Sequence, residues 1–526
     1  MGSENNAAVN RVTPAALHTP SASDIVVGML RAIGALVIVL GTVGATGTAP
    51  PSAAPPIDIF FDAAHVDDRI ARKALEQIGA QWKDSYTPLI IDLARQLRRA
   101  PRDTDSALPS ASFGDDDPSG GGGDAGGTTD RGSRPMPREA IVRSRLLRFL
   151  EQQTGKRFDD TLNGWREWMW TLPYEPHPAY GEFKGKVYAR IDPRMQAFFP
   201  PDVRASIRLD EIDWGGVGVN GIPPLVYPRV VSAAEARYLR DGHIVFGVVV
   251  NGQARAYPKR ILAWHELATD RLGDVELTIV YCTLCGTVIP YESTVAERVL
   301  RFGTSGLLYR SNKLMFDEAT ASLWSAIEGK PVVGPLVDWD VALTPRAVVT
   351  TTWGEWRTLH PHTTVLSQDT GHKRDYREGA AYRDYFSNDD LYFRVSKVDN
   401  RLKNKADVLT LRVRPRVGAT PVPVAIEASF LENNPVFHFE AGGRRLVVVT
   451  SRQGANRVYD LRNEPVVLQS RQSGETVADT NGGLWRVSEE ALVREGPDPV
   501  HLPRVVAARA FWFGWYAQFP ETMLIH

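Results

Sequence analysis

The sequence predicts an α+β protein, with an amino-terminal α-helical region followed by a duplicated, mainly antiparallel β-rich domain. Three observations lead there. Apolar residues recur at helical spacing before about residue 200; short β-branched and aromatic runs between turn signals follow from Phe198; and one set of motifs occurs twice in that second part. A chain of 526 residues is too long for one simple core, which points to two or three domains. With 43% hydrophobic and 23% charged residues it has the composition of folded globular domains. A net charge of −1 gives no global field to recruit nucleic acid.

The chain begins with a leader, residues 1–24, whose only basic residue is Arg11. Residues 25–49, "IVVGMLRAIGALVIVLGTVGATGTA", are apolar except for Arg31 and long enough to span a bilayer as a single membrane segment. Small residues at Val43 and Ala45 also fit a cleaved signal. Either way the expectation is export, extracytoplasmic (periplasmic or cell surface), secreted or tethered, with the membrane a partner if the segment is uncleaved. Arg11 and Arg31 place the amino end inside.

After the proline-rich joint "PPSAAPP", "RIARKALEQIGAQW" and "YTPLIIDLARQLRRA" predict a helical hairpin over residues 57–100, HEAT-like in pattern and suited to a protein partner. Residues 101–137 hold "GDDDPSGGGGDAGGTTDRG", which has nothing to bury and is expected to be a disordered linker. Helical spacing returns in 138–197, where Trp165 and Trp168 share a face that reads as packing surface. In "HIVFGVVVNGQARAYP", Asn251-Gly252 marks a hairpin turn. "VELTIVYC", "TVIPYEST" and "RVLRFGTS" follow as further strands. The GxGxxG of Gly216, Gly218 and Gly221 is a chance match, because Pro223 and Pro224 stand where a phosphate-binding helix would start.

The repeat sets residues 198–383 against 384–526. Gly286 aligns with Gly454, Tyr291 with Tyr459, and Leu323-Trp324 with Leu484-Trp485. Trp353, Trp356 and Pro361 align with Trp512, Trp515 and Pro520 at identical spacing. Residues held by both copies read as scaffold. The only two cysteines, Cys282 and Cys285 of "CTLC", occur in the first copy alone, with Thr450 and Gln453 in their places. His265 and Glu266 likewise face Asn433 and Asn434, and the second copy is shorter across "TSGLLYRSNKLM". Joint loss suggests that histidine, CxxC and loop form one site.

"FGVVVNGQARAYPKRILAWHELATD", "YCTLCGT", "GTSGLLYRSNKLMFDEATASLWS" and "TTWGEWRTLHPHTTVLS" resemble the domain-of-unknown-function 3179 family over roughly 207–383. A HEAT-like segment ahead of the domain is also found in that family. Where a proline is common between the cysteines, this chain has Thr283. The resemblance implies a domain and no activity.

A CxxC offers two sulfurs to one soft ion, copper or zinc, with His265, Glu266 or Met315 as further ligands. It offers equally a dithiol/disulfide redox couple, or a structural disulfide in a non-catalytic interaction module. A zinc ribbon would need a second CxxC, which is absent from the sequence. Enzyme, metal-binding protein and interaction module all stay open.

Overall fold

The structure, a computed structural model, describes residues 54–97, 137–462, 464–473 and 476–526. The leader, the expected export or anchor segment and nearly all of the expected linker lie outside the described residues. Among the described residues, no helix is long and apolar enough to cross a membrane.

The helical region starts with Ile57–Ala63, Asp68–Ala80 and Thr87–Arg95, and continues with Arg138–Thr154, Asn163–Thr171 and Tyr180–Ala189. Local chemistry sets the ends. The Asp67 side chain accepts from Arg69 N at 2.8 Å at the start of the second helix. Gly155, at φ 67°, ends the fourth in the left-handed conformation. Thr87–Arg95 is buried on every side from Thr87 to Ala94, so it is the centre of the group. Its Ile90 shares one apolar core with Phe60, Leu146, Trp165 and Phe183, and also with Leu307, Leu314 and Val333 of the β-rich part. The hairpin of residues 57–97 therefore has no core of its own. Trp165 is fully buried in this core, with Trp168 at its margin.

Charges are buried along the same seam. Asp213 accepts from Arg166 at 2.8 Å and pairs with Arg95 at 2.6 Å, and Lys184 pairs with Asp92 at 3.0 Å. Removing one partner from such a pair leaves a charge stranded away from water.

The β-rich part contains two sheets with one topology. In the first, Val349–Thr352, Ile244–Val250, Gln253–Pro258 and Thr364–Leu366 lie side by side, with the last pairing parallel. In the other, Ala507–Phe511, Asp407–Val413, Val422–Glu427 and Met523–Ile525 take the same order and directions. A short helix follows the second strand in the chain each time, Lys259–His265 or Ala428–Asn433, and a tryptophan helix precedes the last, Trp353–Leu359 or Trp512–Tyr516. The Asn251-Gly252 turn has both residues at positive φ, as the dipeptide predicts. The remaining strands of the second half form one eight-stranded sheet, whose end strands meet where the His438 ring bonds Leu468. In the first half the corresponding strands divide between two five-stranded sheets.

Candidate functional site: a caged dithiol

Cys282 ends the strand Val275–Cys282, and Cys285 precedes Gly286, whose φ of 63° turns the chain into Thr287–Glu292. Both cysteines are free thiols, 3% and 0% exposed. The expectation of a structural disulfide is thereby corrected: the two sulfurs are not bonded to each other. They converge instead on one acceptor, Ser311 O, with Cys285 Sγ at 3.3 Å and Cys282 Sγ at 3.9 Å.

Ser311 lies in the tight turn joining Phe302–Tyr309 to Asn312–Asp317. Arg310 and Ser311 have φ of 47° and 63°, a pair of left-handed residues that a two-residue hairpin normally gives to Asn-Gly. The residues after the turn face the thiols. The Asn312 side chain acts to lower the Cys285 thiol, and the Lys313 backbone N–H acts to lower Cys282. The Lys313 ammonium pairs with Glu266, with both side chains less than a tenth exposed. Glu266 Oε1 also accepts from Thr283 Oγ1, inside the CTLC loop, and from Tyr382 OH, each at 2.9 Å. Glu266 and Tyr382 are themselves left-handed, with φ of 57° and 54°. Each such residue costs on the order of 1–3 kcal/mol and persists only where its surroundings over-determine it. Four of them line this cage.

The second half closes the other side. Phe511 N donates to Cys285 O at 2.7 Å, and a side chain at Gly514 would place its Cβ 3.0 Å from Cys285 Sγ. Tyr385 OH donates to Leu284 O at 2.8 Å. Arg310 is held by Glu211, next to the helical region, and donates to Ala517 O at 2.9 Å. Helical region, turn, cage and second half are thus mechanically joined.

The sulfurs are treated unequally. Burial raises both thiols, but hydrogen bonds from the Cys285 thiol and from backbone N–H groups of Lys313 and Cys285 hold Cys282 below the ordinary thiol value. Cys285 is driven well up by burial and by Cys282 beside it.

Of the other residues singled out from the sequence, Glu266 and the "TSGLLYRSNKLM" segment are at the thiols, while His265 and Met315 are not. His265 Nδ1 bonds Pro223 O at 2.8 Å and Nε2 bonds Tyr376 OH at 2.5 Å, so both ring nitrogens are engaged away from the sulfurs. Burial lowers its pKa to about 4. Met315 packs among Leu267, Val280 and Trp324. Among the described residues there is no group of three or more His, Cys, Asp or Glu able to hold a metal ion. The physical reason is the helix end: His265 closes the last turn, and the left-handed Glu266 swings the next side chain the opposite way. Lys313, Asn312, Ser311, Thr283 and Tyr382 were missed in the sequence. The first three lie within "TSGLLYRSNKLM", across which the second half is shorter, and that was their only signal.

The fold and this site define an α+β protein with a charge-lined, buried dithiol. The chain belongs to the family described as "Protein of unknown function (DUF3179)", whose model matches residues 219–522 and so takes in both β-rich halves. No curated protein and no solved structure matches it.

Proposed function

We propose that Cys282 and Cys285 are a working dithiol that exchanges with a small-molecule disulfide, on a protein held outside the cytoplasm. The observation that carries this reading is the placement of two free sulfurs of one CxxC on the same carbonyl, Ser311 O, at 3.3 and 3.9 Å, beside the buried Lys313–Glu266 pair. The opposite directions in which their surroundings push the two thiols accord with it. In the exchange, the Cys282 thiolate attacks one sulfur of the small disulfide and expels a first thiolate, which is protonated. Cys285 then gives up its proton and closes on Cys282, expelling the second. Two electrons leave the protein with the two released thiols, and one S–S bond replaces another.

Equilibration in graded mixtures of reduced and oxidised glutathione, followed by thiol counting, tests the proposal. The pair should convert as a unit, and Cys282→Ser should abolish rapid alkylation near neutral pH while Cys285→Ser retains it. Thiols that stay reduced throughout, or equal reactivity in the two variants, would defeat it. A second reading is favoured by the convergence of both sulfurs on Ser311 O. With His265 and Met315 turned elsewhere, two thiolates suit soft monovalent copper and fall short of the four ligands of structural zinc. Elemental analysis beside the thiol count distinguishes the two readings.

The proposed location rests on the apolar run of residues 25–49. Reporter fusions after Ala100 should be active only with an export-dependent reporter, and the opposite result would sink it. The proposal also takes the β-rich part as an internal duplication, supported by the matching strand orders, and the helices of residues 57–97 as HEAT-like and open to a protein partner.

A further inference from the structure

The two β-rich halves meet along a cleft of about 490 Å³ whose lining includes neither cysteine. One wall comes from the first half, with Ile289, Ile327 and Leu343, and the other from the second half, with Leu411, Val505 and Ala507. This apolar floor has a cationic rim. Lys330, Arg346, Arg412, Arg414 and Arg444 all line the cleft, against the single lining carboxylate of Glu328. Arg346 is paired with Glu292 and Arg444 with Asp460. Arg412 lies over the Phe519 ring and approaches Glu328 only to 3.6 Å. Arg414 donates to the Ala419 carbonyl, an uncharged partner. Among the described residues, neither Lys330 nor Arg414 is ion-paired. In a chain of net charge −1, this cluster of cations, two of which have no ion pair among the described residues, is a local arrangement and no reflection of overall basicity.

We propose that this seam binds a small amphipathic anion, with its apolar body on the floor and its anionic head between Lys330, Arg412 and Arg414. The volume is in the range of small-molecule sites, roughly 300–1,000 Å³, which favour junctions between domains and combine apolar walls with a few orienting polar groups. Guanidinium forks match a carboxylate head, and cations at the mouth leave the head partly hydrated while the chain is buried.

Calorimetric titration of the whole protein with dodecanoate, dodecanol and acetate tests this. Dodecanoate should bind at least about tenfold more tightly than dodecanol, a difference of about 1.4 kcal/mol, and acetate should not compete. Lys330→Gln with Arg414→Gln, both at exposed positions, should remove most of the preference for dodecanoate over dodecanol. Val506→Trp, placed in the cleft wall, should weaken both ligands. Equal affinity for dodecanoate and dodecanol, acetate competition, a double variant that binds as wild type does, or no dodecanoate binding would each overturn the proposal.

Discussion

The loop "CTLCG" of the first β-rich half and the loop "TSRQG" of the second each join two antiparallel strands, and the halves around them share matching bonds. Tyr291 OH bonds Ala326 O at 3.0 Å, and Tyr459 OH bonds Ser488 O at 2.6 Å. Trp324 Nε1 donates to Asp317 at 3.0 Å, and Trp485 Nε1 to Asp479 at 2.9 Å. Trp356 and Trp515 donate to Thr363 and Thr522, both at 2.8 Å. Each tryptophan helix also reaches across to the other half. Glu355 of the first accepts from Ser451 at 2.9 Å in the second loop, while Gly514 of the second lies on Cys285. What differs is what surrounds the loops. The first faces a left-handed turn, a buried Lys313–Glu266 pair and two thiols; the second has no thiol and is bordered by Glu355 and by the buried Arg457–Glu489 pair. Two halves of matching strand order carry a strained dithiol cage only once. Residues common to the halves are therefore held by packing, and those unique to the first half are held against a cost.

The largest break in this comparison comes from the helices, whose apolar core is shared with strands of the first half. A chain starting at Arg138 loses Ile90 and Leu93 from the shared core, Asp92 from its pair with Lys184, and Arg95, one of the two arginines on Asp213. It is expected to lose cooperative unfolding in calorimetry, and a sharp transition near that of the whole chain would show the β-rich part to be self-sufficient.

Next comes the buried pair. Lys313→Met strands Glu266 without its cation and should cost about 3 kcal/mol in denaturant unfolding, with Glu266→Gln in the same chain restoring most of it. If the single variant is neutral, the pair is solvated and the cage is not the source of the difference.

Close packing between the halves follows. Gly514→Ala sets a methyl against Cys285 and should cost about 1–3 kcal/mol. Glu355→Ala, at the equivalent helix position, loses its bonds from Ser451 and Thr351 and its pairing with Arg457, and should cost about 1 kcal/mol. A reversed order would mean that the two crossings are not equivalent.

The comparison can also be sharpened by grafting. Thr450→Cys with Gln453→Cys builds a CxxC in the second loop, where no Lys313 or Asn312 waits. Its thiols should titrate at or above the ordinary thiol value, about 8.5, whereas the surroundings of Cys282 hold it below the ordinary value. A grafted thiol as acidic as Cys282 would place the effect in the loop itself.

The smallest effect concerns His265, whose counterpart is Asn433. Its pKa is about 4 when folded, against an ordinary value of 6.5, so the unfolded chain binds the proton first as pH falls. The stability it contributes is whole above about pH 6.5, is lost as pH drops towards 4, and does not change further below that. His177, His243 and His438 are also lowered by burial and act in the same direction. His265→Asn should flatten only part of this acid slope and leave thiol reactivity unchanged. A change in Cys282 alkylation would tie the histidine to the site after all.

Much of the scaffold was legible from one dimension. Helical spacing marked Asp68–Ala80 and Arg138–Thr154, Asn251-Gly252 marked its hairpin, and alternating apolar runs marked the strands around Cys282. These signals are local: propensity, period and turn chemistry act within a few residues. Comparing the chain with itself also singled out the CxxC and the "TSGLLYRSNKLM" segment, which meet at Ser311. The cage itself was not legible. Sequence neighbours His265 and Glu266 both looked like ligands, yet a single left-handed φ at Glu266 sends one side chain to Thr283 and leaves the other on Tyr376. Tyr382 lies more than a hundred residues from Glu266 and carries no motif. Thus the sequence alone determined the elements, the pairing of the halves and the uniqueness of the cysteines, because these follow from local periodicity and self-comparison. Only the tertiary structure decided which polar groups surround the thiols and that the first helices share a core with the β-rich part. Those outcomes depend on backbone reversals and on burial between distant segments, which no local pattern encodes.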